Sequence, residues 1–143
     1  MSNEAEIRNL LEARARQIHD KNAEGALNFY GEDIVNFDLA PPLAYRAPEA
    51  IDPAGLRAWF DTWDGPISLT FDQLEIRVVD DLAFAFGLLH LVGKRTDGSD
   101  TDVWVRITVG FERRSGGWKI THEHQSFPTM MDGTEKSATD LHP

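Results

Sequence analysis

Asp38, His122 and His124 are the side chains of this sequence best suited to move a proton. Asp38 closes the short apolar stretch that begins at Ile34 and is followed at once by a loop carrying Pro41, Pro42 and Pro48. A carboxylate at such a mouth loses hydration, which raises its pKa and makes it a usable base. The alternative is that it only hydrogen-bonds the turn that follows, as Asp commonly does. His122 and His124 lie in the run Trp118 to Phe127, and strict alternation puts both on one strand face with Trp118 and Ile120. An imidazole titrates near pH ~6.5, so the pair suits acid–base work or ligand binding. Two other readings stay open: hydrogen-bonded core or interface histidines, or a His-x-His metal site needing a third ligand such as His90 or Asp38. Two histidines on one strand are a weak metal signal, so neither metal nor cofactor is expected.

A second set of residues could shape a binding pocket. Arg106 alternates with Trp104 and Thr108, opposite Val103, Val105, Ile107, Val109 and Phe111. An arginine in mid-strand needs a partner, which could be a carboxylate ligand, Asp38, Glu123 or a second subunit. Tyr30, Trp59 and Trp63 read as core residues on helical stripes that can also touch a flat apolar ligand. With His90, Trp104 and Arg106 they complete the candidate ligand-binding set.

These residues must be positioned by helices first and strands afterwards. Ile7, Leu10, Leu11, Ala15 and Ile18 recur at helical spacing, and Asn3 with Glu6 resembles a capping box. Asn22 can cap a shorter helix carrying Ala26, Leu27, Phe29 and Tyr30. Asp52-Pro53 starts a third helix with Leu56, Trp59, Phe60 and Trp63 on one stripe, ended by Gly65-Pro66. Four strand-like runs follow: Ile67 to Val79, Leu82 to Arg95, Val103 to Arg113 and Trp118 to Phe127. Their short connections predict an antiparallel meander, and Gly87, Gly93 and Gly110 are candidate bend or bulge points. The layout is α+β, with the helices filling the concave side of a long curved sheet. Residues 1–131 form one domain on this reading, and the apolar-poor segment 132–143 is expected to be disordered.

Composition narrows the classes of function. The 143 residues suffice for one domain, and a formal charge of −10 argues against nucleic acid and against anionic membrane surfaces. There is no cysteine, hence no disulfide scaffold, thiolate nucleophile or Cys-ligated zinc. No apolar run is long enough for a membrane span, so a cytoplasmic protein is expected. The run from Leu82 carries Leu82, Phe84, Phe86, Leu88 and Val92 on one face and Ala83, Ala85, Leu89 and Leu91 on the other. Both faces look buried, although short helices cover only one, so a second copy of the chain is expected on the other.

The order of elements resembles the nuclear-transport-factor-2-like (NTF2-like) cone fold, which includes ketosteroid isomerase and the SnoaL-like cyclases. The stretch Val35 to Leu43 (VNFDLAPPL) with Tyr45-Arg46 is similar to a signature of the SnoaL-like ketosteroid-isomerase homologues. Trp104 to Thr108 and Gly117 to Ser126 are similar to the second half of that signature. The resemblance spans roughly residues 4 to 128. It implies a cone-shaped fold, and with the doubly apolar strand the expected protein is a homodimer with a pocket for a small apolar or aromatic metabolite. It also places Asp38 where the isomerase carries its base. The isomerase's enolate donors have no counterpart: the first helix offers Arg14, Ala15 and Ile18 but no tyrosine, and the third long strand has Trp104, Arg106 and Thr108 but no Asp. Steroid isomerisation is therefore not expected. Cofactor-independent proton transfer of isomerase, cyclase or dehydratase type remains, with a non-catalytic association or ligand-sensing module as the alternative. Epoxide hydrolysis would need a second inward carboxylate on a long strand, and none stands out.

Overall fold

The charged, Leu- and Ile-punctuated N-terminus folds as helix α1, Asn3–His19, in the computed structural model, which describes all 143 residues. Its cap is Ser2, whose Oγ accepts from the Ala5 amide at 3.1 Å, so the cap lies one residue before the expected Asn3. Helix α2, Ala23–Leu27, is capped by Asn22 as expected but ends before Phe29. Tyr30 instead opens strand β1, Tyr30–Phe37, so an aromatic assigned to a helical stripe is a strand residue. After the two-residue strand β2, Tyr45–Arg46, the Asp52 cap and Pro53 start α3, Pro53–Phe60. Trp63 lies beyond that helix and pairs through an isolated bridge with Arg95.

The four long strands are β3, Ser68–Val79; β4, Leu82–Lys94; β5, Asp100–Arg114; and β6, Gly117–Ser126. They pair antiparallel in sequence as a meander, within a six-stranded sheet of order β2-β1-β6-β5-β4-β3. The sheet is mixed, because β1 runs parallel to β6 and sets Asn36 beside Glu123 and Phe37 beside His124. One face holds the core: Ile76, Ala83, Ala85, Leu89, Val105, Ile107, Val109, Phe111 and Ile120 pack with Ile7 and Leu11 of α1. This is the expected α+β cone, with helices on the inner, concave side. The outer face is the less buried one in a single chain, where Leu82 is 61% and Phe84 47% exposed.

Three register shifts interrupt the sheet: one lies in the β1–β6 pairing between Tyr30 and Val35, and the other two lie at glycines singled out from sequence. Between Asp72 and Glu75 the β3 backbone bulges, with Gln73 at φ 55°. A Cβ on Gly87 would stand 3.0 Å from Leu74 Cα, so the bulge packs where only glycine leaves room. The other, at Gly110/Phe111, inserts Thr121 into β6. Gly93 serves a different purpose: it makes space for the Trp63 ring, which a Cβ would meet at 2.7 Å.

Past Pro128 the chain turns back on itself. Thr129 bridges Ser137, and Ala138, 5% exposed, donates its amide to the Pro128 carbonyl, so the segment 132–143, expected to be disordered, is held against residues 128–130 at its middle.

Candidate functional site

The Thr121 bulge decides which side chains of β6 enter the cone. Before it, Trp118 and Ile120 point inward; after it, His122 pairs with Gly110, Glu123 with Val109 and His124 with Thr108. Val109 is a core residue, so Glu123 points inward and both histidines point outward. The expected common face of His122, His124, Trp118 and Ile120 is therefore wrong. One extra residue in a strand moves every later side chain to the opposite face.

Glu123 is 1% exposed and is the one charged residue in the buried set. Its Oε1 accepts from Arg14 Nη1 at 2.8 Å, and its Oε2 accepts from the Tyr30 hydroxyl at 2.6 Å. Tyr30 in turn accepts from Arg14 Nη2 at 2.6 Å, closing a three-residue ring between α1, β1 and β6. Charge-assisted bonds of this length are strong, and together they satisfy a carboxylate that burial alone would not tolerate. Burial is the largest influence on the Arg14 pKa and acts to lower it, but Glu123, Tyr30 and Asp38 together outweigh it and hold the guanidinium above its ordinary value. Burial pushes the Tyr30 phenol far up, so it stays protonated.

Two atoms in this region remain unpartnered. Arg14 Nε and Asn36 Oδ1 are buried and make no hydrogen bond. Asn36 pairs with Glu123 across β1 and β6, so its side chain lies on the same inner face.

Asp38 comes directly after the end of β1 at Phe37. Its Oδ1 accepts from the Leu39 amide at 2.7 Å, the turn bond that any Asp there can make. Desolvation by the surrounding chain raises its pKa; the Leu39 bond opposes this, Glu123 adds to it, and Arg14 pulls the other way. The net direction is upward, and these influences tie Asp38 to the buried ring. The residue also borders an open recess of about 440 Å³ lined by Phe37, Asp38, Leu39, Pro41, Leu43 and His124, among others. The site is thus a carboxyl between a solvent-facing recess and a buried polar cluster.

The remaining candidates are dispersed. His122 is half-buried, its Nδ1 2.7 Å from the Val35 carbonyl, and packs edge-on against Phe37, as does His124. His90 stacks on Trp104 with ring centroids 4.1 Å apart and meets Asp102 through Nε2. Arg106 is exposed and donates from Nε to Ser126 Oγ at 3.1 Å, not to Asp38 or Glu123. His90, Trp104 and Arg106 all belong to the outer face. Trp59 packs against Trp63 in a separate cluster with Ile18, Phe60 and Ile67. Nowhere do three or more His, Asp or Glu side chains gather closely enough to hold a metal ion, so the His-x-His arrangement finds no third ligand. No helix is long and apolar enough to cross a membrane.

Sequence reasoning missed Arg14, Asn36 and Glu123. Arg14 interrupts the apolar helical series, lying next to Ala15 and three residues after Leu11, and that was the available signal. Glu123 gave none, because alternation without the bulge assigns it to the outside.

A helix-lined cone with a strongly bent six-stranded sheet defines an NTF2-like protein. Residues 7–130 match the model of the SnoaL-like domain, and the chain belongs to that family. It is similar to the structure of an NTF2-like protein of unknown function from Pseudomonas putida KT2440, with 31% identity and a TM-score of 0.84, over 98% of this chain and 96% of that one. An NTF2-like superfamily protein from Salmonella enterica serovar Typhimurium shares the fold at 17% identity and TM-score 0.76, over 93% of this chain and 96% of that one. So does a candidate dehydratase of the NTF2-like family from Streptomyces avermitilis, at 13% identity and TM-score 0.72, over 84% and 92% of the two chains. No curated protein matches the chain.

Proposed function

We propose that the recess beside Asp38 binds a small, largely apolar or aromatic metabolite and that Asp38 acts as the base in a proton transfer of isomerase, cyclase or dehydratase type. The observation that carries this reading is Asp38 itself: a carboxyl with a raised pKa, at the junction of an open recess and a buried Arg14–Tyr30–Glu123 ring. Partial desolvation brings its pKa toward neutrality, which is the direction a general base needs. His124 lines the same recess and is a candidate to pass the proton on. The Streptomyces avermitilis structure is named as a candidate dehydratase, a name that agrees with proton-transfer chemistry.

The test is exchange of α-protons of a panel of aryl ketones in deuterated water, followed by proton NMR. At least one ketone should exchange faster with the wild type, and Asp38→Asn should slow it by ~10²–10⁴. Equal rates for the two proteins across the panel would remove Asp38 as a base.

The alternative is a non-catalytic association or ligand-sensing module. Leu82 and Phe84 leave an exposed apolar strip on the outer sheet face, suited to a second copy of the chain. A homodimer through that face is part of both readings, and a cytoplasmic setting suits the acidic, cysteine-free composition. Light scattering that finds a stable monomer at micromolar concentration would remove the dimer.

A further inference from the structure

The sheet has two open edges, and one short stretch of them is left unprotected. The β2 edge is two residues long, Tyr45–Arg46. At the other edge, the far half of β3 is blunted by the bulge at Gln73 and by the charged side chains Asp72, Glu75 and Arg77. Short length, bulges and charges are the usual means of keeping an edge from pairing with another chain. Ser68 to Phe71 has none of them. It is uncharged, regular in register and paired on one side only, with β4. No backbone group of this stretch hydrogen-bonds outside the sheet, so alternate residues present their N–H and C=O to the open side.

Beside that stretch lies an open groove of about 470 Å³ whose opposite wall is α1. The wall is one stripe of the helix, Arg8, Glu12, Ala15, Arg16 and His19, next to the stripe of Ile7, Leu11 and Ile18 that enters the core. Arg8 and Arg16 are exposed, and neither pairs with a carboxylate. His19 is turned to its neighbour Asp20, with Nδ1 2.9 Å from the carboxylate. In a chain of net charge −10, two unpaired guanidiniums on one wall of a groove are a local exception. The free edge selects an extended occupant, and the arginines select an acidic one.

We propose that this groove takes an extended acidic segment of a partner protein, which adds as a strand along Ser68–Phe71 and sets its carboxylates against Arg8 and Arg16. Spacing narrows the sequence of that segment. The two arginines are eight positions apart on α1, ~12 Å along the axis at ~1.5 Å per residue. On one face of a strand, positions i and i+4 stand ~13 Å apart. The segment therefore carries acidic residues at i and i+4. Glu12 lies midway between the arginines and repels a third acid, so position i+2 is a lysine or a small uncharged residue. The recess beside Asp38 lies on β1 and β6, three strands away in the sheet, so this inference is independent of the proton-transfer reading.

The probe is a heptapeptide blocked at both ends, Thr-Asp-Val-Lys-Val-Asp-Thr, titrated into the full chain at low salt and followed by nitrogen–proton NMR. Alternate amides within Ser68–Phe71 should shift and, at saturating peptide, exchange with deuterium about tenfold more slowly, because the added strand bonds to them. Reversing both arginine charges, Arg8→Glu with Arg16→Glu, changes exposed helix positions and should weaken binding about tenfold or more. The peptide Thr-Lys-Val-Lys-Val-Lys-Thr should then bind this variant more tightly than it binds the wild type. No binding at millimolar peptide, or unchanged affinity in the double variant, would overturn the proposal. So would shifts confined to the Arg8 and Arg16 side chains with the β3 amides unmoved, since that is charge association without a strand. Shifts at Asp38 and His124 instead would assign the peptide to the recess. Protection of the Ser68–Phe71 amides that already rises with protein concentration, without peptide, would assign the edge to a second copy of the chain and refute the acidic partner.

Discussion

Replacing Glu123 by alanine removes the acceptor of two buried donors at once. Arg14, whose side chain is 15% exposed, would keep its charge with nothing opposite it, and Tyr30 would lose the acceptor of its hydroxyl. Breaking a buried pair by deleting one partner costs ~3–5 kcal/mol, because the other charge stays desolvated and unpaired. For a chain of 143 residues that corresponds to a fall in Tm of roughly 10 °C or more. Urea unfolding gives the value directly, provided that the slope with denaturant is unchanged. The comparison is Glu75→Ala, which breaks an ion pair of equal length, 2.8 Å, between side chains that are 55% and 53% exposed. That variant should lose less than about 0.5 kcal/mol, since water already solvates both ends. A loss below ~1 kcal/mol for Glu123→Ala, indistinguishable from the surface control, would refute the account of a desolvated ring.

Two further outcomes follow from local geometry. The raised pKa of Asp38 means that the folded chain holds its proton more tightly than the unfolded chain. Its contribution to stability is therefore most favourable at low pH and declines as pH rises from the ordinary carboxylate value, ~3.9, through the raised one. Asp38→Asn should accordingly be at least as stable as wild type at pH 7, with the difference shrinking toward pH 4 in matched urea titrations; a variant less stable at pH 7 would contradict the direction. Gly93→Ala should destabilise by ~1–3 kcal/mol and alter tryptophan fluorescence, because its Cβ would stand 2.7 Å from the Trp63 ring that also stacks under Arg95. Gly110→Ala, whose Cβ meets His122 at an ordinary 3.5 Å, is the control, and equal stability of the two would show that Trp63 yields freely.

Most elements could be read from the sequence because their signals are local. Asp52-Pro53 marks a helix start whatever lies around it, and Ser115-Gly116-Gly117 marks a hairpin turn, so α3 and the β5–β6 connection appear where the residues place them. Tyr30 went to the wrong element because its neighbours Ala26 and Leu27 are helical, whereas its own conformation is set by the sheet: Phe29 O accepts from the Ile120 amide at 2.9 Å. The parallel pairing of β1 with β6 was equally out of reach. It joins residues some 90 positions apart, and no turn chemistry announces it.

The candidate site shows the same division more sharply. Asp38 could be found from its place between an apolar run and a proline loop. Its partners could not, since His122, Glu123 and His124 are consecutive and a single inserted residue determines which of them enters the cone. Thr121 carries no mark of a bulge; what holds the register is the outcome of the alternative. A strand without the shift would turn His122 and His124 into the core and Glu123 toward solvent, stranding Arg14 and the Tyr30 hydroxyl on the inner face without their carboxylate. The buried ring thus fixes the register of β6 as firmly as the apolar residues around it, and the same constraint sets Asp38 next to the polar cluster.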